Sequence, residues 1–264
     1  MTPAQIKAAA QALYEAEQTS EQIGVLSQQY PGITMDDAYA IQAGLVALKQ
    51  AKGDEVIGWK IGLTSRAMQM ALNIDIPDSG VLLESMRFES GASIPQGRFI
   101  QPRVEAEIAF VMKAPLKGRV TREQVIAATD YVAPSLEILD TRVQRVDPSS
   151  GQTRKIFDTI ADNAANAGIV LGEARFDPAS DLRWIGAIVS ANGQVEETGL
   201  GAGVLNDPVE GIVWLAARME LYGQSIKAGQ VILSGSFIRP LECPADTHIV
   251  ADFGAWGTVS CRFE

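Results

Sequence analysis

Three carboxylates set among apolar residues carry the first chemical signal. Glu105 and Glu107 stand two apart in Arg103-Val104-Glu105-Ala106-Glu107-Ile108-Ala109-Phe110. The run reads as a β-strand, and a spacing of two puts both carboxylates on one face. The segment continues into Val111-Met112 and has the character of a buried strand. Two like charges side by side there repel each other unless something cationic compensates. A solvated strand face is the plainer reading of a lone Glu-x-Glu pair. Glu137 shifts the balance: it sits about thirty residues on, between Leu136 and Ile138, in a second apolar, strand-like segment. Three carboxylates in apolar strands suit an oxygen-ligated hard divalent ion, Mg²⁺ or Mn²⁺, with water or substrate completing the shell.

Composition narrows the alternatives. The chain has 264 residues and a formal net charge of −10. Such a charge opposes binding to nucleic acid or to an anionic membrane. The start, MTPAQIKAAAQALYEAEQ, is amphipathic and charged, with no apolar core of a secretory signal. No run approaches the roughly 18 apolar residues of a membrane span. Cys243 and Cys261 have no metal-ligand or Cys-x-x-Cys spacing and read as reduced thiols of a cytoplasmic protein. The single histidine, His248, lies in strand-like Thr247-His248-Ile249-Val250 and reads as a surface strand residue. Acid–base work therefore falls to Asp, Glu, Lys, Tyr or metal-bound water.

The positioning elements follow from periodicity. Residues 3–30 read as helix, with Ile6, Ala9, Ala10, Leu13 and Ala16 at three- and four-residue spacing, until Pro31-Gly32 breaks it. Thr34 caps a second helix with Asp37 in a capping-box position, a core stripe of Ala38, Ile41, Leu45 and Leu48, and an end near Lys52-Gly53. This pair, residues 1–53, reads as a helical lobe on a body of residues 54–264, together one domain. Val56 to Leu63 is a strand holding Lys60, either snorkelling to the surface or a buried amine. Ser65 to Leu72 reads as a short helix, and Ile76-Pro77-Asp78-Ser79-Gly80 as a turn centred on Asp78. A helix over 121–130 is capped by Thr121, a strand covers 131–139, and Arg142 to Lys155 reads as an exposed loop. The small and polar run 156–168 fits either a ligand-side wall or a core helix. Asn192-Gly193 marks a hairpin. Gly199-Leu200-Gly201-Ala202-Gly203 precedes a helix from Pro208 to Leu221. It is no dinucleotide loop, because a third glycine would fall on Val204 and a hairpin precedes it. Residues 230–263 return to strands. The whole reads as α+β with a large, mostly antiparallel or mixed sheet system.

At Lys60-Ile61-Gly62-Leu63-Thr64-Ser65, Pro77-Asp78, Glu105-x-Glu107 and Glu137, the sequence resembles the hydratase/decarboxylase branch of the fumarylacetoacetate hydrolase superfamily. Thr34 to Gln42, Phe157 to Gly168, Asp181 to Ile185, Gly235-Ser236-Phe237-Ile238-Arg239-Pro240 and Val259 to Phe263 extend the resemblance over essentially the whole chain. Trp59 departs from it, standing where a histidine is expected. The resemblance implies a mixed β-roll with a helical N-terminal lobe and a homo-oligomer, a decamer built from pentamers. It implies Glu105, Glu107 and Glu137 as ligands of Mg²⁺ or Mn²⁺, and Lys60 and Asp78 as the catalytic pair. The implied reaction is addition of water to a seven-carbon 2-oxo-enedioate in homoprotocatechuate breakdown. Ser236, Arg239 and Asn163 would bind substrate, Arg239 its far carboxylate, with Arg154 and Lys155 as alternatives. Hydration of a pentadienoate, decarboxylation of 4-oxalocrotonate, and a non-catalytic partner subunit stay open.

Overall fold

Two mixed sheets and a helical lobe make up the computed structural model, which describes residues 1–66, 69–70 and 76–264. The lobe holds α1 (Pro3–Thr19), α2 (Leu26–Gln29) and α3 (Met35–Gln50). Capping boxes start both long helices, Thr2 with Gln5 and Thr34 with Asp37. The buried stripe Ala9, Ala10 and Leu13 of α1 packs on Ala38, Ile41 and Leu45 of α3. The helix expected over 3–30 is cut at Ser20, which takes a left-handed φ of 58°. Beyond it Ile23 N–H donates to Arg142 O at 2.8 Å, and Gln144 N–H donates to Ile23 O at 2.9 Å. This long-range pairing outcompetes continued helix over the same apolar residues.

The remaining chain runs β1 (Val56–Gly62), β2 (Asp78–Leu83), β3 (Arg87–Glu89), β4 (Ala92–Ile94), β5 (Arg103–Met112), α4 (Arg122–Ala128), β6 (Thr129–Leu139), α5 (Ile156–Ala161) and β7 (Asn166–Leu171). It continues through β8 (Gly186–Ala191), β9 (Gln194–Leu200), α6 (Pro208–Leu221), β10 (Val231–Ser236), β11 (Leu241–Glu242), β12 (Thr247–Asp252) and β13 (Thr258–Phe263). The larger sheet has the order β2-β1-β10-β5-β6-β7-β3, with β11 also paired to β5. The smaller has the order β4-β13-β12-β8-β9. Both are mixed: β1 runs parallel to β10 but antiparallel to β2. The α+β reading and the mixed β-roll match this architecture. At the hairpin between β8 and β9, Asn192 and Gly193 both take positive φ, as a primed turn requires.

β5 shows how the core sorts its side chains. Val104, Ala106, Ile108, Phe110 and Met112 face the main core with Ile249, Val259 and Phe263 of the smaller sheet. The alternate residues Glu105 and Glu107 therefore face the other way. On β6, Leu136 and Ile138 join the same core, which turns Glu137 to the Glu105 side.

Two expectations change here, and a third is not reached. Asp78 is no turn centre but the first residue of β2, paired with Gly62. Pairing with β1 overrides its turn-like neighbours Pro77 and Gly80. Arg142, at the head of the expected exposed loop, is fully buried. The helix from Ser65 to Leu72 lies partly outside the described residues.

Candidate active site and metal centre

Register brings the three glutamates together. Glu105 lies directly opposite Glu137 on the β5–β6 ladder. Glu107 lies opposite Ser135 on that side and Ser236 on the other. One carboxylate oxygen from each of Glu105, Glu107 and Glu137 falls within 4.8 Å of the others. Glu107 is 1% exposed and Glu137 0%, while Glu105 is half-buried. Each inner carboxylate is fixed by one oxygen. Gly235 N–H donates to Glu107 Oε2 at 2.7 Å. Asn166 Nδ2 donates to Glu137 Oε1 at 2.7 Å, and Lys60 Nζ lies 3.3 Å from the same oxygen. Glu137 Oε2 is buried with no hydrogen-bond partner among the described residues.

Burial, then repulsion from Glu137, pushes the Glu105 carboxyl up to about 8. The same two causes hold Glu107 well above the ordinary carboxylate range. A cluster that resists ionisation this strongly is short of positive charge. An orphaned buried oxygen and three hard donors within 4.8 Å of one another fit a divalent cation with oxygen preference.

Lys60 and Asp78 come from neighbouring strands of the β1–β2 ladder, each opposite a glycine. Lys60 faces Gly80, and Asp78 faces Gly62. A Cβ at Gly62 would stand 2.2 Å from Asp78 Oδ1 and 3.2 Å from Lys60 Nζ. A Cβ at Gly80 would stand 2.5 Å from Asn163 O and 3.2 Å from Lys60 Cγ. The two missing side chains are the space these functional groups occupy. Both groups are buried, so Lys60 does not snorkel. Burial opposes its ammonium charge, but Glu137, Asp78, Glu105 and Glu107 together hold its pKa above the ordinary lysine value. Burial raises the Asp78 carboxyl against the pull of Lys60. Asp78 Oδ1 is buried and has no hydrogen-bond partner among the described residues.

Sequence reasoning missed the residues that hold this pair and triad. Buried Gln42 of α3 donates Nε2 to Ser79 O and to Ile160 O, both at 2.9 Å. Ser79 N–H donates to Tyr39 Oη at 3.3 Å. The lobe thus grips the backbone next to Asp78. Arg142 pairs with Asp162 and donates Nη2 to Asp162 O at 2.7 Å and to Asn166 O at 3.2 Å. Asn166 in turn holds Glu137. Tyr39, Gln42, Asp162 and Asn166 lie within stretches whose resemblance was already visible, but their roles needed the fold.

A cavity of about 830 Å³ opens over Lys60, Asp78 and Glu105, walled by Phe157, Phe237 and several cations. Ser236 lines it, but its hydroxyl donates to Ile238 O at 2.8 Å and accepts from Ile238 N–H at 3.1 Å. Arg239 lines it too, with a side chain 80% exposed and Nε 2.9 Å from Glu197 Oε1. Asn163 is committed elsewhere: its amide donates to Val81 O at 2.9 Å and accepts from Val81 N–H at 2.8 Å. It completes the edge of β2 and is not among the residues that line the cavity. His248 is exposed on β12, in the smaller sheet, whereas Lys60, Asp78 and the three glutamates all sit on the larger.

Among known proteins, the chain is 50% identical over 256 residues to 2-oxo-hept-4-ene-1,7-dioate hydratase from Escherichia coli, covering 96% of each chain. It is 41% identical over 262 residues to 2-hydroxyhexa-2,4-dienoate hydratase from Comamonas testosteroni, covering 98% of this chain and 97% of that one. The solved structure of 4-oxalocrotonate decarboxylase from Pseudomonas putida G7, complexed with magnesium and adipate, matches with a TM-score of 0.93. That match has 32% identity and covers 100% of this chain and 99% of the decarboxylase. No family model matches the sequence. With half its residues shared along the full length of a hydratase and the same fold as a decarboxylase, the chain belongs to the hydratase/decarboxylase branch of the fumarylacetoacetate hydrolase superfamily.

Proposed function

We propose that this chain is a hydro-lyase that adds water to 2-oxo-hept-4-ene-1,7-dioate, giving 4-hydroxy-2-oxoheptane-1,7-dioate in the breakdown of homoprotocatechuate. The observation that carries the reading is the cavity floor. Glu105 lines it with Lys60 and Asp78 and converges with the buried Glu107 and Glu137 behind it, in a chain half identical to a hydratase of that substrate. Bound at the three glutamates, Mg²⁺ or Mn²⁺ supplies Lewis-acid polarisation of the substrate's 2-oxo carbonyl.

The chain's own groups handle charge and protons. Lys60 is kept cationic by the carboxylates around it. It balances negative charge developing on the substrate's oxygen and pins Glu137. Asp78, with one oxygen unpartnered and its pKa raised, carries the proton. It takes a proton from C3 and delivers one to C5, bringing the double bond to C3=C4, in conjugation with the ketone. Water then adds its oxygen to C4 as its proton passes through Asp78 to C3. One water is consumed and nothing else is released. The apolar walls Phe157, Ile238 and Phe237 limit bulk water to the nucleophile.

Mass analysis of the product formed from the 2-oxo-enedioate with Mg²⁺ tests the reading. Gain of one water supports it. Loss of CO₂ makes the chain a decarboxylase, and unchanged substrate makes it a non-catalytic partner subunit. Chelation abolishes turnover, and Mg²⁺ or Mn²⁺ restores it.

The reading also makes residues 1–264 one catalytic domain in a cytoplasmic homo-oligomer, a decamer built from two pentamers. No described helix is long and apolar enough to cross a membrane, and both cysteines are free. Exposed Trp184, Ile188, Val195 and Leu200 lie on or beside the β8–β9 hairpin, an apolar face suited to a second copy. Light scattering tests the assembly.

A further inference from the structure

Besides Lys60, four cations line the cavity: Arg103, Arg154, Lys155 and Arg239. Arg103 is committed to Glu242, with Nε 2.6 Å from Oε1, and Arg239 is committed to Glu197. Lys155 is exposed. Arg154 differs from all three. It is half-buried, and among the described residues no carboxylate lies within ion-pair distance of it. Its side chain is anchored by a single hydrogen bond, Nη1 to Thr141 Oγ1 at 2.6 Å. A guanidinium carries five N–H donors in a planar fork, and this one lines the cavity with a single side-chain hydrogen bond and no ion pair among the described residues. Burial draws its pKa down, with Asp162 and Asp158 acting the other way. A half-desolvated cation of this kind gains most from an anion arriving in bidentate geometry.

Its anchor also sets its place. Thr141 lies four residues beyond Glu137, two past the end of β6. Four residues span at most about 14 Å. A seven-carbon diacid has six C–C bonds of about 1.5 Å each and stretches roughly 7–8 Å between its end carbons. Arg154 and Glu105 line the same cavity of about 830 Å³, so a diacid held at one end by the glutamates lies in a space that Arg154 also walls.

We infer that Arg154 grips the far carboxylate of the substrate and so determines the preference for diacids over monoacids, an assignment that rests on the hydratase reading. Arg239, the first choice from sequence, stays at the mouth with Glu197. A monoacid would leave the Arg154 fork without its anion in a partly desolvated wall. Sites built to bind a polar group discriminate strongly against ligands that lack it.

Two measurements test this. The first compares turnover of 2-oxo-hept-4-ene-1,7-dioate with that of 2-hydroxypenta-2,4-dienoate, as the ratio of kcat/KM values. Arg154→Ala lowers that ratio ten- to hundredfold, mainly through KM of the diacid, the scale of a lost charge-assisted hydrogen bond. Arg154→Lys recovers part of it as a point charge without the fork. Arg239→Ala moves the ratio less than threefold. An equal loss on both substrates, or a larger effect at Arg239, overturns the assignment. The second measurement does not depend on catalysis: calorimetric binding of adipate against hexanoate with Mg²⁺ present. Wild type prefers adipate, and Arg154→Ala loses that preference. A preference that survives in the variant, or that wild type never shows, overturns the assignment. If wild type hydrates neither substrate yet Arg154→Ala abolishes the adipate preference, the hydratase reading fails and the carboxylate grip stands.

Discussion

Asn166 Nδ2 donates to Glu137 Oε1 at 2.7 Å and leaves Oε2 of the same carboxylate bare. This one hydrogen bond decides which oxygen of Glu137 is free for an ion. Asn166 is itself fully buried, and its carbonyl is held by Arg142. Groups that orient a metal ligand from behind are worth about ten- to hundredfold in metal affinity. Asn166→Ala is therefore expected to weaken Mg²⁺ binding by that factor in titration calorimetry. Asn166→Asp loses the same donor but adds a negative charge that attracts the ion, so its loss is smaller. Unchanged affinity in both variants removes Asn166 from the site.

Gly62 faces Asp78 across the β1–β2 ladder. Gly62→Ala would set a methyl 2.2 Å from Asp78 Oδ1, so the carboxylate must turn away. Overpacking of this sort costs about 1–3 kcal/mol in stability. The expected signature is a kcat loss of at least a hundredfold with Mg²⁺ affinity kept, read by stopped-assay kinetics beside calorimetry. A variant with full kcat would show that Asp78 can act from another position.

Asp78→Asn keeps the shape of the side chain and removes its proton traffic. Positioned acid–base groups contribute about 10²–10⁴-fold, so kcat falls by that range. The variant stays folded by circular dichroism and still binds the divalent ion. Loss of ion binding would reassign Asp78 to the metal centre.

Glu17 of α1 and Lys49 of α3 pair at 2.6 Å, largely out of water. Burial raises the Glu17 carboxyl, but Arg142 and Lys49 outweigh it, and the net shift is below the ordinary 4.5. A carboxyl with a depressed folded pKa adds stability that is complete above its unfolded value and fades as pH falls through the folded one. Urea denaturation of wild type and Glu17→Gln should give the widest stability gap near pH 7. The gap narrows once pH drops below about 4.5. A gap that grows in acid would contradict the pairing.

Parts of this structure were plain in the amino-acid order because they depend on neighbours. The capping box of Thr34 and Asp37, the Asn192-Gly193 turn and the two-residue spacing of Glu105 and Glu107 are all local. Glu137 was findable because its apolar flanks mark a buried strand. What stayed hidden depends on residues far apart in sequence. Arg142 looked exposed in a polar stretch because its partner, Asp162, comes 20 residues later. Asp78 looked like a turn residue because nothing nearby announces that β1 will pair with it. Arg239 looked free until Glu197, 42 residues earlier, was seen to bind it. Arg154 was an alternative whose lack of an acidic partner among the described residues shows only in the fold.

The hold of Gln42 on Ser79 O and Ile160 O ties the helical lobe to the strand that carries Asp78. A lobe that frays on heating would release that strand end while the sheets persist. Thermal inactivation should then precede the main unfolding transition, so that turnover acts as a thermometer for the docking of α3.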